Sequence, residues 1–307
     1  MSRKIVVLMR AIGLAALFLA ELPVTNIATQ PIDHTDAPLT VVFDLGGVLI
    51  DTDARACTRE LGIANLIRYK LFSGKPEKIK DVLYTVLNEC ESGCTPTSQA
   101  CDPNGSPIPG LMCSWMTGQR CCKELKKQVC GQIAQHSEWF AGGLEQKLVR
   151  RTARLMFDPI RFAHAQKVVT DALPLIQRCK QRGHRLVVLS NWDKESFAIL
   201  RKRFSNLFEL FDEIIISGEI GSMKPEPEIF SHVTCKTPAS TCVFIDNQQE
   251  NLDTAATLGF HTILCRPTKT RLLGSRPNLA AVERKLVRLE KELVSAQKAA
   301  LTETTIS

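Results

Sequence analysis

The stretch Val41–Asp51, VVFDLGGVLID, constrains the fold most tightly. Val41-Val42-Phe43 reads as a buried strand, and it stops on a carboxylate, Asp44. Gly46-Gly47 then let the backbone leave sharply and approach whatever binds there. A carboxylate at the end of a buried strand costs free energy unless a cation or a reaction offsets its charge. In open α/β sheets that edge is where ligands sit. The arrangement recurs twice. Leu186-Val187-Val188-Leu189 ends in Ser190-Asn191, and Cys242-Val243-Phe244-Ile245 ends in Asp246-Asn247.

Residues 165–267 alternate strand and helix. A helix over Ala165–Arg182 starts or kinks at Pro174 and closes at Gly183. Further helices are predicted around Ser196–Phe204, over Pro227–Val233 just after Lys224, and around Glu250–Leu258, the last ended by Gly259. Glu213–Ser217 and His261–Cys265 read as strands. Such alternation predicts an α/β, Rossmann-like, doubly wound parallel sheet.

With Asp44, Ser190, Lys224 and Asp246 in this order and context, the chain resembles the haloacid dehalogenase superfamily of hydrolases over roughly residues 38–56 and 165–267. Taken singly, each residue is an ordinary turn or surface residue; the signal lies in their agreement. The resemblance implies subfamily I, with an inserted helical cap between the first and second motifs. The expected layout is a core over 40–55 and 165–270 and a cap over 56–164. Within the cap, Ala56–Phe72, Lys78–Asn88 and Ser137–Phe157 read as helices. Arg150, Arg151 and Arg154 are candidates for facing the substrate, a solvated helix face being the alternative.

The resemblance also implies the chemistry. Asp44 is the expected nucleophile and forms a phosphoaspartyl intermediate. Mg²⁺ is the expected cofactor, held by Asp44, the backbone carbonyl of Gly46 and Asp246. Ser190 and Asn191 are expected on the phosphate, Lys224 between Asp44 and the phosphate, and Asn247 and Asn251 behind Asp246. Most phosphatases of the superfamily carry a second Asp two residues after the nucleophile, as general acid and base. Here Gly46 stands there. The Asp-Leu-Gly-Gly motif resembles the branch related to sugar-1-phosphate phosphatases, which suggests sugar phosphates or other small phosphomonoesters with a readily expelled oxygen. Asp51 and Asp53 lie too far along to replace the missing Asp by simple alternation. Two other readings stay open: a catalytically weakened binding scaffold, and a metal-independent dehalogenase, which Asp246 disfavours.

Seven of the twelve cysteines fall between Cys90 and Cys130, around the irregular stretch Pro103–Gly110. Three readings are open. Disulfides staple a loop without a core of its own, the odd cysteine being left over or paired outside it with Cys57; or zinc binds near Cys90 and Cys94; or the thiols are free. Cys242 and Cys265 read as buried side chains. Residues 1–23 have a basic start and the apolar run Ala11–Ala20, so they resemble a secretory leader or membrane anchor, followed by a linker over 24–39. An exported or membrane-anchored protein is expected on that reading. An amphipathic N-terminal helix packed on the core, in a cytoplasmic protein, is the alternative. Residues 278–301 form a helix whose heptad seam, Leu279, Val282, Leu286, Leu289, Leu293, Ala296 and Ala300, lies on its own core or pairs in a homodimer. The net charge of +7 includes no dense basic tract, so no nucleic-acid partner is implied.

Overall fold

A computed structural model describes residues 38–72, 78–90, 107–270 and 274–306. The leader, nearly all of the linker, residues 103–106 of the irregular stretch, Cys94 and Cys101 lie outside the described residues. The strands are β1 (Thr40–Phe43), β2 (Ile50–Thr52), β3 (Gln166–Val168), β4 (Arg185–Ser190), β5 (Glu213–Ile216), β6 (Cys242–Asp246), β7 (His261–Leu264), β8 (Pro267–Thr270) and β9 (Gly274–Pro277). A five-stranded parallel sheet runs in the order β5-β4-β1-β6-β7. From β1 the chain steps outward through β4 and β5, then returns to the other side of β1 for β6 and β7. This reversal opens a crevice beside the carboxyl end of β1.

Both faces of the sheet are buried, as the unbroken apolar strands require. Val41, Phe43, Leu186, Val188, Val243 and Ile245 pack on one face, with Leu175 and Ile176 of the helix Ala172–Gln181 and with Leu200 of the helix Lys194–Arg203. Val42, Val187, Leu189 and Phe244 pack on the other, with Ile229, Phe230 and Val233 of the helix Pro227–Thr234 and with Leu252 and Ala255 of the helix Gln249–Thr257. In register, Phe43 pairs with Val188 and with Ile245. The three strand ends that carry Asp44, Ser190 and Asp246 therefore finish together.

The described part of the segment between β2 and β3 is mostly helical and has its own apolar core, including Leu83, Leu87, Leu125, Val129, Leu148 and Phe157. A buried hydrogen bond pins it: the Tyr69 hydroxyl donates to Glu145 Oε1 at 2.6 Å. The expected single helix over 56–72 is two helices, Ala54–Leu61 and Ile63–Phe72. Gly62 between them takes φ +87°, a backbone that breaks the helical run and that other residues rarely adopt.

The cysteine-rich stretch also differs from expectation. Its described part contains the helices Gly110–Met116 and Cys122–Gln135; Cys122 and Cys130 are buried in the interior of this segment, and Cys113 is buried against Met223. No disulfide joins the described cysteines. The helices bury Leu111, Trp115, Leu125 and Ile133, so the described part of this stretch has a core. Among the described residues no three His, Cys, Asp or Glu side chains gather to hold a metal, so nothing there supports the zinc reading.

Two β-ribbons were not anticipated: β2 with β3, and β8 with β9. The first splits the helix expected over 165–182, leaving Pro174 in the first turn of Ala172–Gln181. The C-terminal helix Leu279–Ile306 lies on its own core: Leu279, Val282 and Leu286 are buried there, and Leu289 and Leu293 pack against it. His184 Nε2 meets Glu290 at 2.8 Å, and Arg178 pairs with Glu283 at 2.6 Å, which fixes the helix against Ala172–Gln181. This part of the heptad seam is covered by its own chain. Among the described residues, no helix is long and apolar enough to cross a membrane.

Candidate active site

Asp44 follows β1 directly and continues its ladder, its N–H donating to Ile245 O at 2.9 Å. Two donors converge on its Oδ1: Ser190 Oγ at 2.8 Å and Lys224 Nζ at 2.8 Å. Lys224 Nζ also reaches Asp246 Oδ2 at 2.7 Å and Leu189 O at 2.9 Å, which uses all three ammonium hydrogens. Relative exposure is 6 % for Asp44, 2 % for Lys224 and 0 % for Asp246, so the cluster is dry. Asp246 is held from behind by Asn251 Nδ2 at 3.1 Å and by the Gln248 N–H at 2.8 Å. The four residues picked from separate stretches of sequence thus form one bonded group.

Charge does not balance within it. One ammonium faces two carboxylates, leaving a net negative charge in a low-dielectric site. Burial, outweighing the attraction of Lys224 and reinforced by Asp246, pushes the Asp44 carboxyl up to about 6. Burial alone would pull Lys224 down, but Asp246 and Asp44 more than offset it and hold the ammonium above its ordinary range. An added cation would relieve the remaining charge. The available groups, two carboxylates and the Gly46 backbone beside them, offer oxygen only, which suits Mg²⁺.

Asn191 has a different part from the one expected. Its side chain clasps the Lys224 backbone, Nδ2 donating to Lys224 O at 2.8 Å and Oδ1 accepting from Lys224 N–H at 2.8 Å. It positions the lysine while still lining the cavity. Gly47 takes φ +76°, and a Cβ there would lie 2.5 Å from Asn247 Nδ2; only glycine lets the first loop pass so close to the loop after β6.

A cavity of about 420 Å³ opens over the cluster. Asp44, Gly46, Ser190, Lys224, Asn247 and Asn251 line its floor, and Met112, Trp115, Met116, Met156 and Phe162 line its far side. Two contacts hold that far side down on the sheet domain: Ser217 Oγ donates to Met116 O at 2.6 Å, and Glu195 Oε1 accepts the Cys122 N–H at 2.8 Å. The apolar wall carried no sequence signal, because Met and aromatic residues at helical spacing read as core. Asp51 also lines the cavity, contrary to its dismissal on spacing: Gly47 N–H bonds Ile50 O at 2.8 Å, and the chain doubles back. Asp53 instead caps the helix Ala54–Leu61. Arg150, Arg151 and Arg154 do not line this cavity. They face a separate groove with Gln146 and Lys147.

A family model for haloacid dehalogenase-like hydrolases matches residues 39–259, most of the chain. The chain belongs to this family. Among curated relatives, the chain is 33 % identical over 119 residues to bifunctional epoxide hydrolase 2 of Rattus norvegicus, covering 36 % of this chain and 22 % of that protein. It is 28 % identical over 135 residues to haloacid dehalogenase-like hydrolase domain-containing protein 3 of Bos taurus, covering 43 % of this chain and 53 % of that one. The chain thus spans between about a fifth and about half of these relatives' lengths. Among solved structures, a haloacid dehalogenase family enzyme from Bacteroides thetaiotaomicron aligns with a TM-score of 0.48 at 18 % identity, over 75 % of this chain and 94 % of that one.

Proposed function

We propose that this hydrolase is a Mg²⁺-dependent phosphomonoesterase that works through a phosphorylated Asp44. The observation that carries the reading is the dry cluster in which Lys224 spans Asp44 and Asp246 while Ser190 bonds Asp44, beneath a cavity large enough for a small ester. Asp44, Asp246 and the Gly46 carbonyl would hold the ion, which when bound neutralises negative charge between the nucleophile and the phosphate. Asp44 attacks phosphorus, and the ester P–O bond breaks with its electron pair going to the leaving oxygen. Lys224 supplies positive charge beside the phosphoryl group, and Ser190, whose hydroxyl rests on Asp44 in the free site, would turn to a phosphoryl oxygen, giving the charge neutralisation that dominates phosphoryl transfer. Water then attacks phosphorus, loses a proton to solvent and returns Asp44 and orthophosphate.

The direct test is phosphate release from phenyl phosphate with and without metal. Mg²⁺ is expected to support turnover, and a chelator to abolish it reversibly. Turnover that survives complete chelation would overturn the metal-dependent reading.

Gly46 predicts a second outcome. It has no positive φ, and a Cβ there meets only Trp192 Cζ3 at 3.8 Å, an ordinary contact. A β-carbon at position 46 therefore fits, and Gly46→Asp would place an acid two residues after the nucleophile. General acid–base help is worth about 10²–10⁴-fold. We expect kcat on alkyl phosphates to rise towards that range and to rise less on aryl phosphates, whose oxygen leaves unaided. An equal response on both would show that protonation of the leaving group is not what the wild-type site lacks.

A further inference from the structure

We infer that the organic group of the substrate is apolar, and that the cap wall binds it as a hydrocarbon rather than as a polyol. This rests on the phosphomonoesterase reading and names its substrate class. The polar groups of the cavity gather on the floor. The cap side presents Ile108, Met112, Trp115, Met116, Met156 and Phe162.

Asp51 and Thr52 also line the cavity, Asp51 Oδ1 accepting from the Thr52 N–H at 2.8 Å; nearer the wall, most polar handles are turned away or used. Trp115 Nε1–H donates to Cys122 Sγ at 3.2 Å. Trp192 Nε1–H donates to Ser196 Oγ at 2.9 Å. Gln166 Nε2 donates to Phe162 O at 3.3 Å. Asp193 is bound up by Ser196 at the start of its helix. Tyr84 adds one hydroxyl to the wall. Arg150, Arg151 and Arg154, which would suit a second anionic group, lie on the other groove.

A sugar entering this space would bury several hydroxyls against methionine and aromatic side chains. Each buried hydroxyl without a partner costs free energy. An alkyl or aryl group loses nothing there and gains by leaving water. Two of the wall residues, Met112 and Met116, lie one helical turn apart on Gly110–Met116, and methionine adapts its shape to irregular apolar guests. The wall therefore selects for apolar surface with loose shape demands, in contrast to the sugar phosphates suggested by the Asp-Leu-Gly-Gly motif.

The test uses the whole protein with Mg²⁺ and a homologous series of phenyl phosphates bearing para-hydrogen, methyl, ethyl, propyl and butyl groups. Leaving-group chemistry stays nearly constant along the series while apolar area grows. We expect kcat/KM to rise by roughly threefold per methylene until the cavity is full, and glucose 1-phosphate to be turned over at least about a hundredfold less efficiently than butylphenyl phosphate. In Met116→Gln the rise per methylene is expected to flatten. A flat or falling series with phenyl phosphate still cleaved, or glucose 1-phosphate cleaved as well as the butyl ester, would overturn this inference and leave the phosphomonoesterase reading standing. No phosphate release from any ester would overturn both.

Discussion

Asp44→Asn is expected to lower phosphate release by on the order of 10⁵-fold or more, the scale seen when an enzyme loses its nucleophile. The amide keeps the shape and can still accept from Ser190 and Lys224, so the loss would report chemistry and not collapse. The same substitution carries an opposite prediction for stability. In the metal-free fold, Asp44 titrates at about 6, against an ordinary 3.8. A carboxyl raised in this way favours the folded state below its unfolded value, and that contribution disappears as pH rises through the folded one. At neutral pH the lost contribution is on the order of 3 kcal/mol. Metal-free Asp44→Asn should therefore melt above metal-free wild type at pH 7, with the gap closing as pH falls from about 6 towards about 4. A gap that is independent of pH, or that widens on acidification, would show that the unbalanced charge is not what strains this site. A binding scaffold would give a different result in the first assay: no turnover in wild type for the substitution to remove.

Lys224→Ala is expected to cost about 3–5 kcal/mol of folding stability, the range for breaking a buried ion pair by removing one partner. It leaves Asp44 and Asp246 facing each other in a dry site with no cation, and it strips a partner from Leu189 O. The denaturant midpoint should fall accordingly. Asp246→Asn in the Lys224→Ala background should recover a good part of that loss, because the repulsion between Asp44 and Asp246 is no longer offset once the ammonium is gone. Added Mg²⁺ should also raise the midpoint of Lys224→Ala by binding the two carboxylates. If Lys224→Ala unfolds no more readily than wild type, the carboxylates do not depend on the lysine for their burial.

Much of this was legible in the sequence because strand ends are marked locally. An apolar run that stops on Asp44, Ser190 or Asp246 announces both the strand and the edge at which it delivers a polar group. Lys224 was found through its place in a known motif order. The parallel sheet then followed from alternation alone, and the register of β1 with β4 and β6 brought the strand ends level. What could not be read was anything set by tertiary contact. The Gly46–Ile50 turn-back that carries Asp51 to the cavity depends on the β2–β3 ribbon, whose strands are 114 positions apart in sequence at their closest ends, from Thr52 to Gln166. The roles of Asn191 and of the apolar cap wall follow from what they face. Cysteine density pointed to staples because small stapled loops share that composition, whereas Cys122 and Cys130 sit as small apolar side chains inside a helical segment with its own interior, and Cys113 packs on Met223.

The central claim is a covalent one, and one measurement addresses it most directly. Wild-type protein is mixed with Mg²⁺ and a phenyl phosphate, quenched in acid within the first turnovers, digested, and searched by mass spectrometry for a phosphoryl group. The account predicts that group on Asp44, and none in Asp44→Asn. Phosphate released at full rate with Asp44 never modified, or a phosphoryl group carried on another side chain, would contradict it.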